Sequence, residues 1–385
     1  MMYPLVTLDD NTEIVYSDVL VDGKVKVYIE KPDPKDCFHC LTCFLPLYEV
    51  EGVYGFNEEE VNKYLDIIKS TEHLITIPRK LEKQEHIKTR KLWEEVFQED
   101  TKEFLDYYYS VKTLENEIYV IEEDNKIVSM LHLNPYQMRI GDKIFKTHYI
   151  VAVATDEHYR KRGYMAKLLN YTVQIMQDRG EPFTFLMPAA EAIYKPFGFE
   201  FVYEQKRGTI TGKAYEGSDL TFAMAEEKDC QETADFANEF LREYDVVTWR
   251  DASYYETLLA EQSSENGGIL LAKKEQKIVG VFCFAKSEVQ GEHNAKSESE
   301  GEHNTKSEVL VAQNKIEKRI EIREPLFKQK SILQHAVYHL TGTETEEVFC
   351  TGYGSETKPM IMAKVLKPDF EKDLKNCKVF LNEVV

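Results

Sequence analysis

Residues 147–199 read THYIVAVATDEHYRKRGYMAKLLNYTVQIMQDRGEPFTFLMPAAEAIYKPFGF, and this stretch decides the fold. Its apolar runs HYIVAVA (148–154) and PFTFLMP (182–188) are typical of buried strands. A basic turn with a glycine, YRKRGYM (159–165), follows the first run. After the turn, one face of a helix at helical spacing is formed by Met165, Leu168, Leu169, Thr172 and Met176. The pattern predicts a strand, a basic turn, an amphipathic helix, a second strand and a turn with Tyr194.

The basic turn stands where the helix would begin and contains Arg160, Lys161, Arg162 and Gly163. A helix N-terminus offers backbone N–H groups and the positive end of the helix dipole, and both favour a bound phosphate. The cations would add charge-assisted hydrogen bonds to the same anion. The turn therefore predicts a diphosphate site, with an exposed basic turn on an ordinary helix as the alternative.

Charge and composition argue against several classes of protein. The net charge of −20, from 48 basic and 68 acidic residues, argues against nucleic-acid binding, which needs a basic face. No run approaches the roughly 20 apolar residues of a membrane helix, and MMYPLVTLDD is not a secretory signal, so we expect no membrane partner. Seven cysteines without such a signal favour a reducing cytoplasm. The acidic surface either attracts cationic amines or serves solubility alone.

The 385 residues are enough for two or three domains, and their pattern predicts an α+β fold class. We predict an α+β unit over 1–75, a mixed-sheet domain over 76–215, a second domain over 216–357 and a tail over 358–385. The second domain repeats the element order of the first but lacks a basic glycine turn. A polar ten-residue repeat, AKSEVQGEHN then AKSESEGEHN, predicts a mobile insertion over 285–309.

Two helix starts are also predicted by their capping residues. Asn57 is positioned to cap the helix of the first unit, and Asp100 with Glu103 has the spacing of a capping box.

The glycine turn resembles the cofactor signature of the GNAT superfamily of acetyl-CoA-dependent N-acetyltransferases. That signature, Arg/Gln-x-x-Gly-x-Gly/Ala, follows a strand and opens a helix; here it reads Arg160-Lys161-Arg162-Gly163-Tyr164-Met165, with Met165 at the usually small position. The chain is similar to the Eis-type branch (enhanced intracellular survival acetyltransferases), which has V-x-V, an R-R-R-G-like turn and I-Y-x-x-F-G. The matching segments are Val151-Ala152-Val153 and Ile193-Tyr194-Lys195-Pro196-Phe197-Gly198.

The resemblance, which covers roughly residues 76–215 and extends to a second GNAT-like unit, implies tandem GNAT-like mixed sheets flanked by helices. It implies acetyl-CoA as the co-substrate, with its diphosphate on the backbone N–H groups of 162–165 and its pantetheine arm along 151–153. The strand would also give a backbone donor to the thioester oxygen. The implied cofactor-binding residues are Val151, Ala152, Val153, Arg160, Lys161, Arg162, Gly163, Tyr164, Met165, Ala189 and Ala190.

Tyr194 is the candidate general acid for the leaving thiolate. Full proton transfer from a phenol of pKa ~10 to a thiolate of pKa ~8.5 would cost about 2 kcal/mol. We therefore expect a hydrogen bond that strengthens as the thiolate forms. The alternative is a tyrosine that only packs beside Phe197 and Phe199.

Three further residues are candidates for contacts with the amine. By resemblance, the chain-terminal carboxylate of Val385 reaches the site and orients the amine or accepts its proton, and Glu191 or a water relay could replace it. Tyr107, with its neighbours Tyr108 and Tyr109, would line an acceptor pocket and stack on a cation, or pack in the core instead.

The spacing Cys37-x-x-Cys40-x-x-Cys43 is that of metal ligands. The fourth cysteine of the ferredoxin pattern is missing, because Leu47 occupies its position. We expect buried thiols and no metal.

These observations predict a cytoplasmic N-acetyltransferase in which a primary amine attacks acetyl-CoA directly in a ternary complex. The acceptor would be a small molecule or a protein amine, and the Eis resemblance suggests a homo-oligomer. The alternatives are a non-catalytic acyl-CoA-binding module that regulates a partner, and a transferase that uses a different acyl-CoA.

Overall fold

The computed structural model describes residues 2–20, 24–72, 75, 77–123, 125–215, 219–290, 316–370, 374 and 377–382. The chain divides into two compact units. The first contains Met1–Glu99, Thr113–Pro135 and His148–Thr184, and the second contains Asp100–Lys112, Tyr136–Thr147 and Phe185–Val385.

Mixed sheets and helices make up the described chain. In chain order the strands are β1 (Met2–Thr7), β2 (Glu13–Val19), β3 (Val25–Asp33), β4 (Cys37–Leu45), β5 (Glu49–Tyr54), β6 (Arg79–Lys80), β7 (Glu117–Glu123), β8 (Lys126–Ile140), β9 (Lys143–Thr155), β10 (Phe183–Leu186), β11 (Glu200–Thr211), β12 (Leu220–Met224), β13 (Val246–Thr248), β14 (Gly268–Lys274), β15 (Lys277–Gln290), β16 (Ile316–Phe327), β17 (Glu347–Thr351), β18 (Glu356–Val365) and β19 (Val379–Phe380). The helices are α1 (Glu58–Thr71), α2 (Arg90–Val96), α3 (Lys102–Ser110), α4 (Tyr164–Asp178), α5 (Glu191–Tyr194), α6 (Cys230–Phe240), α7 (Ala252–Ser264) and α8 (Lys330–Thr341).

The first unit begins with a five-stranded antiparallel sheet in the order β1-β2-β3-β4-β5. Alternate residues of its strands, such as Val27 and Leu41, form one core cluster with Tyr64 and Ile68 of α1. Asn57 caps α1 as predicted, since its side chain accepts a hydrogen bond from the Glu60 amide (2.9 Å) and the Glu60 carboxylate accepts one from the Asn57 amide (3.0 Å). We call residues 2–72 the N-terminal module.

The rest of the first unit contains residues 148–184, which include the basic turn and its helix. Strands β6, β7 and β8 pair antiparallel, and β8 is followed in the sheet by β9 and β10. The chain leaves β9 through the basic turn, forms α4 and returns as β10, which confirms the predicted strand–helix–strand order. On α4 the predicted residues Leu168, Leu169, Thr172 and Met176 are buried. Met165 is only half-buried, and Lys167 is buried unexpectedly.

The second unit contains a sheet whose neighbouring strands run β12-β14-β15-β16-β17-β11-β18. Strands β16 and β17 are parallel and are connected through α8, whereas the other neighbours in this strand order pair antiparallel. Alternate residues of β14 point to opposite faces of the sheet. Ile269 and Leu271 pack with α6 and α7 on one face, and Leu270 and Ala272 pack with α8 on the other. In chain order this region runs β12-α6-β13-α7-β14-β15-β16-α8-β17, which contains the predicted helices and strands and one short strand, β13, that was not predicted.

Several boundaries differ from the sequence predictions. Residues 285–290, predicted as part of a mobile insertion, extend β15 and pair with β16, because a backbone ladder does not require apolar side chains. Residues 358–365, predicted as tail, belong to β18 and pair with β11. The cap of α3 is Thr101, whose hydroxyl accepts a hydrogen bond from the Phe104 amide (3.1 Å), rather than Asp100. Most of the predicted insertion, 291–309, lies outside the described residues.

Within the described residues, no helix is both long and apolar enough to cross a bilayer.

A buried ion pair in the second unit provides a test of its core. Arg250 Nη1 lies 2.7 Å from Glu324 Oε1, and both side chains are almost completely buried. Because removal of one partner leaves an uncompensated charge, we expect Glu324→Gln to lower the free energy of unfolding by about 3 kcal/mol. The double variant Arg250→Met/Glu324→Met should recover most of this loss, because it buries no charge.

Denaturant unfolding followed by fluorescence measures these changes. Arg242→Met is the matched control, because Arg242 pairs with Glu239 at an exposed position where an ion pair contributes little. A double variant that loses as much free energy of unfolding as Glu324→Gln would contradict this account.

Candidate cofactor-binding and catalytic residues

The strand segment Val151-Ala152-Val153 is kinked. Ala152 has φ +52°, a left-handed conformation that is unusual for a residue with a side chain inside a strand. A single left-handed residue in a strand is the local geometry of a β-bulge, which interrupts the ladder and leaves backbone groups unpaired. Val151 and Val153 on either side are half-buried. The left-handed residue therefore lies in the middle of the three residues that the sequence assigns to a cofactor arm.

Both ends of the kinked segment are held by neighbouring strands. Before the kink, the Thr184 hydroxyl of β10 donates to the His148 carbonyl (2.8 Å). After it, the Ser129 hydroxyl of β8 donates to the Ala154 carbonyl (3.0 Å). Because these buried bonds fix the strand on each side, Ala152 can keep its strained conformation.

A carboxylate organises the end of β9. Asp156 Oδ1 accepts a hydrogen bond from the His158 amide (2.9 Å), and Oδ2 lies 2.5 Å from Lys126 Nζ. The Lys126 ammonium lowers the pKa of Asp156, so this carboxylate remains charged at neutral pH. The strand thus ends in a fixed turn at the entry to the basic segment.

The basic turn brings the chain into α4 through two left-handed residues, Lys161 (φ +65°) and Gly163 (φ +81°). Gly163 is the N-cap of α4, and a Cβ atom built on it would meet no atom within 4 Å. Glycine is therefore required by its backbone conformation, not by crowding within the protein. The first amides of a helix have no partner within the helix, which is why the sequence predicts an anion site here.

The three cations of the turn differ in their surroundings. Arg162 lies 3.4 Å from Glu123, and its guanidinium is stacked 4.7 Å from the ring centroid of Tyr159. Arg160 donates to the Thr155 carbonyl (3.2 Å), and Lys161 is exposed. Neither Arg160 nor Lys161 pairs with an acidic side chain among the described residues, so both cations are available to a ligand.

Sequence reasoning missed the contribution of Glu123. The buried Tyr164 side chain donates a hydrogen bond to this carboxylate, which also pairs with Arg162. Tyr164, predicted as a cofactor contact, therefore also fastens the first residue of α4 to the end of β7. No sequence signal indicated this, because position 123 is 41 residues away from Tyr164.

In the second unit, Tyr194 is the last residue of the short helix α5. Its side chain is 7% exposed and packs edge-on against Phe199, with ring centroids 6.0 Å apart. Burial raises the pKa of Tyr194 to about 12. Transfer of its proton to a thiolate near ~8.5 would then cost about 5 kcal/mol, which favours a hydrogen-bond donor over a proton donor.

The turn after Tyr194 is fixed by a lysine. Lys364 of β18 donates from Nζ to the Phe197 carbonyl (2.6 Å). Gly198 has φ +81°, and a Cβ there would lie 2.9 Å from Lys364 Nζ. This explains why the motif needs glycine at that position.

The other predicted contacts have varied environments. Ala189 and Ala190 are exposed, and Glu191 pairs with Lys195 at 2.9 Å on the same helix. Tyr107 is buried, and its hydroxyl donates to Glu261 of α7 at 3.4 Å. Burial raises the pKa of Glu261 to about 7, so this carboxyl titrates near neutrality. Val385 lies outside the described residues, and its role stays a prediction.

The cysteines at 37, 40 and 43 do not converge. All three lie on β4, where alternation places Cys40 on the face opposite Cys43, and Cys37 is exposed. The donors that do come together here are Asp33, Asp36 and His39, with His39 Nε2 3.7 Å from a carboxylate oxygen of each aspartate. These three side chains lie at and beside the turn that joins β3 to β4.

Comparisons with known proteins agree with this geometry. Residues 78–202 match the family model described as acetyltransferase (GNAT) domain. No curated protein matches the sequence. A conserved protein of unknown function from Enterococcus faecalis, a probable N-acyltransferase, is similar with a TM-score of 0.57 and 14% identity over 76% of this chain and 72% of its own.

Two other solved structures are similar at lower scores. Eis1 from Mycobacterium abscessus has a TM-score of 0.50 and 8% identity over 76% of this chain and 74% of its own. N-myristoyltransferase from Saccharomyces cerevisiae, with bound myristoyl-CoA, has a TM-score of 0.50 and 9% identity over 80% of this chain and 89% of its own. At these identities the likeness shows a shared fold.

The left-handed glycine of the turn provides a sharp test of cofactor binding. Gly163→Ala adds about 1 kcal/mol of backbone strain and places a methyl group in the open space before α4. We expect the dissociation constant for CoA, measured by calorimetry, to rise at least about tenfold.

Gly342→Ala is the matched control. Gly342 ends α8 with φ +73° and equally open space around a built Cβ, so it has the same strain away from the basic turn. Equal losses of CoA affinity in both variants would show that strain alone, and not the turn, is responsible.

Proposed function

The chain carries a GNAT acetyltransferase domain at residues 78–202, and we propose that it transfers an acetyl group from acetyl-CoA to a primary amine. The amine attacks the thioester directly in a ternary complex. Its nitrogen forms a bond to the carbonyl carbon, the carbon–sulfur bond breaks, and CoA leaves as a thiolate. The proton lost by the nitrogen reaches solvent or the thiolate, so the products are an amide and free CoA.

The observation that supports this proposal is the kinked strand followed by the glycine turn. In this proposal, the free amides at the start of α4 hold the diphosphate, and Arg160 and Lys161 supply positive charge. The acyl arm follows the kinked residues 151–153, where a backbone N–H polarises the thioester oxygen. A preorganised donor of this kind contributes most when negative charge develops on the oxygen.

An amine panel tests the reaction. Purified protein is incubated with acetyl-CoA and single amines, including polyamines, amino acids, aminoglycosides and lysine peptides, while free thiol release is followed. Turnover with at least one amine supports the proposal. Binding of CoA with no turnover on any acceptor would instead favour the non-catalytic acyl-CoA-binding module.

A longer acyl donor is the second candidate, and the fold shared with a protein that holds myristoyl-CoA favours testing it. A series of acyl-CoA substrates from acetyl to myristoyl, with one accepted amine, measures kcat/KM against chain length. The highest value at acetyl supports the first candidate, and a maximum at a longer chain supports the second.

Tyr194→Phe tests the catalytic donor. Because a hydrogen bond to the developing thiolate is lost and the ring packing on Phe199 is kept, kcat should fall by about 10²-fold with CoA affinity unchanged. Tyr244→Phe is the control, since Tyr244 also packs on a phenylalanine ring, at 5.2 Å from Phe380. Unchanged turnover in Tyr194→Phe would rule out the donor role.

The pH profile gives an independent test of the same residue. With its pKa raised to about 12, the Tyr194 hydroxyl stays protonated up to about pH 10. We expect kcat to hold or increase between pH 7 and 10 as the amine loses its proton. A fall in kcat above pH 9 that is absent in Tyr194→Phe would show that the tyrosine ionises earlier.

A further inference from the structure

Lys167 is a buried lysine in the first turn of α4. Lys167 is only 4% exposed, although lysine is among the residue types least often buried. A buried ammonium is costly unless the surrounding groups compensate for its lost hydration. The residues that surround it therefore show what this side chain does.

Aromatic rings of the N-terminal module surround the Lys167 ammonium. Nζ donates a hydrogen bond to the Tyr16 hydroxyl and lies 4.6 Å from the ring centroids of both Tyr3 and Tyr16. The two tyrosines are cross-strand partners on β1 and β2, with ring centroids 5.7 Å apart. A cation desolvated against aromatic faces gains more than one at an exposed site.

The same lysine closes the turn that begins at Gly163. Its backbone amide donates to the Gly163 carbonyl (3.0 Å), and its ammonium lies 5.8 Å from the ring of Tyr164, the first residue of α4. Tyr164 in turn donates to Glu123, the partner of Arg162. A continuous set of contacts thus joins β1 and β2 to the first turn of α4.

We propose that the N-terminal module is a working part of the cofactor site, with Lys167 as the positioning residue that fixes the first turn of α4. The proposal rests on the proposed function, because it assigns the diphosphate to that turn. The ends of helices are the parts that open most readily, and amides that must converge on an anion bind best when they are already fixed. The Tyr3–Tyr16 pair supplies this constraint from a module outside the matched GNAT domain.

Two variants remove the contact in different ways. Lys167→Met keeps the length and apolar stem of the side chain and removes the charge, and Tyr16→Phe removes only the oxygen that accepts the hydrogen bond. In each full-length variant, calorimetry with CoA gives the dissociation constant, and steady-state kinetics give kcat and both KM values. We expect the CoA dissociation constant and the acyl-CoA KM to rise about three- to tenfold, with kcat and the amine KM unchanged. Hydrogen exchange of the amides at 164–167 should become faster.

Matched controls separate this role from general packing. Tyr28→Phe removes a hydroxyl of the same module that donates to Glu30 (3.1 Å), and Lys102→Met removes an exposed cation of α3. Neither should change CoA affinity. If Lys167→Met does not fold, Tyr16→Phe carries the test alone, because it deletes a single atom.

The outcomes distinguish the two proposals. If the wild-type protein binds no acyl-CoA, the proposed function fails and this inference fails with it. A second outcome is that the wild type binds CoA and the dissociation constants of both variants lie within twofold of the wild-type value, while their melting temperatures are lower. The contact is then purely structural, and the inference alone is overturned.

Discussion

The candidate site depends on one backbone constraint, the left-handed conformation of Gly163 between β9 and α4. This conformation lets the chain turn from the strand into the helix within a few residues, and the space around a Cβ built on Gly163 is open. A residue with a Cβ would adopt it only with strain. The kink at Ala152, the fixed turn at Asp156 and the exposed cations are useful to an anionic cofactor because this turn provides the amides.

Electrostatics refine the site in a chain that is acidic overall. Two cations near the turn are paired with carboxylates, Lys126 with Asp156 and Arg162 with Glu123, and both pairs fix backbone elements. Arg160 and Lys161 are left to face solvent without an acidic partner in the described part of the chain. A local positive patch can thus persist despite the net charge of −20, since exposed charges are screened over about 8–10 Å.

The second unit shows the same architecture with different chemistry. Strand β16 also carries a left-handed residue, Glu324, at a register shift against β15, and α8 connects β16 to the parallel strand β17. Here, however, the residue at the kink is a carboxylate that is buried against Arg250. The following helix α8 has Gln329 as its N-cap and no glycine turn before it. The two left-handed strand residues thus differ in their chemistry, since Ala152 has only a methyl side chain and Glu324 holds a core ion pair.

Sequence patterns by themselves determined the strand–turn–helix–strand order, the amphipathic face of α4 and the Asn57 cap. These features depend on spacings of a few residues, where helical and strand periodicities act directly. Contacts between distant segments were decided only by the tertiary structure. These are the hydrogen bond from Lys167 to Tyr16, the hydrogen bond from Tyr164 to Glu123, and the buried ion pair of Glu324 with Arg250. A lysine in a helix or a glutamate in a strand looks solvated in sequence, because its partner is supplied by folding and lies 41 to 151 residues away in the first two cases.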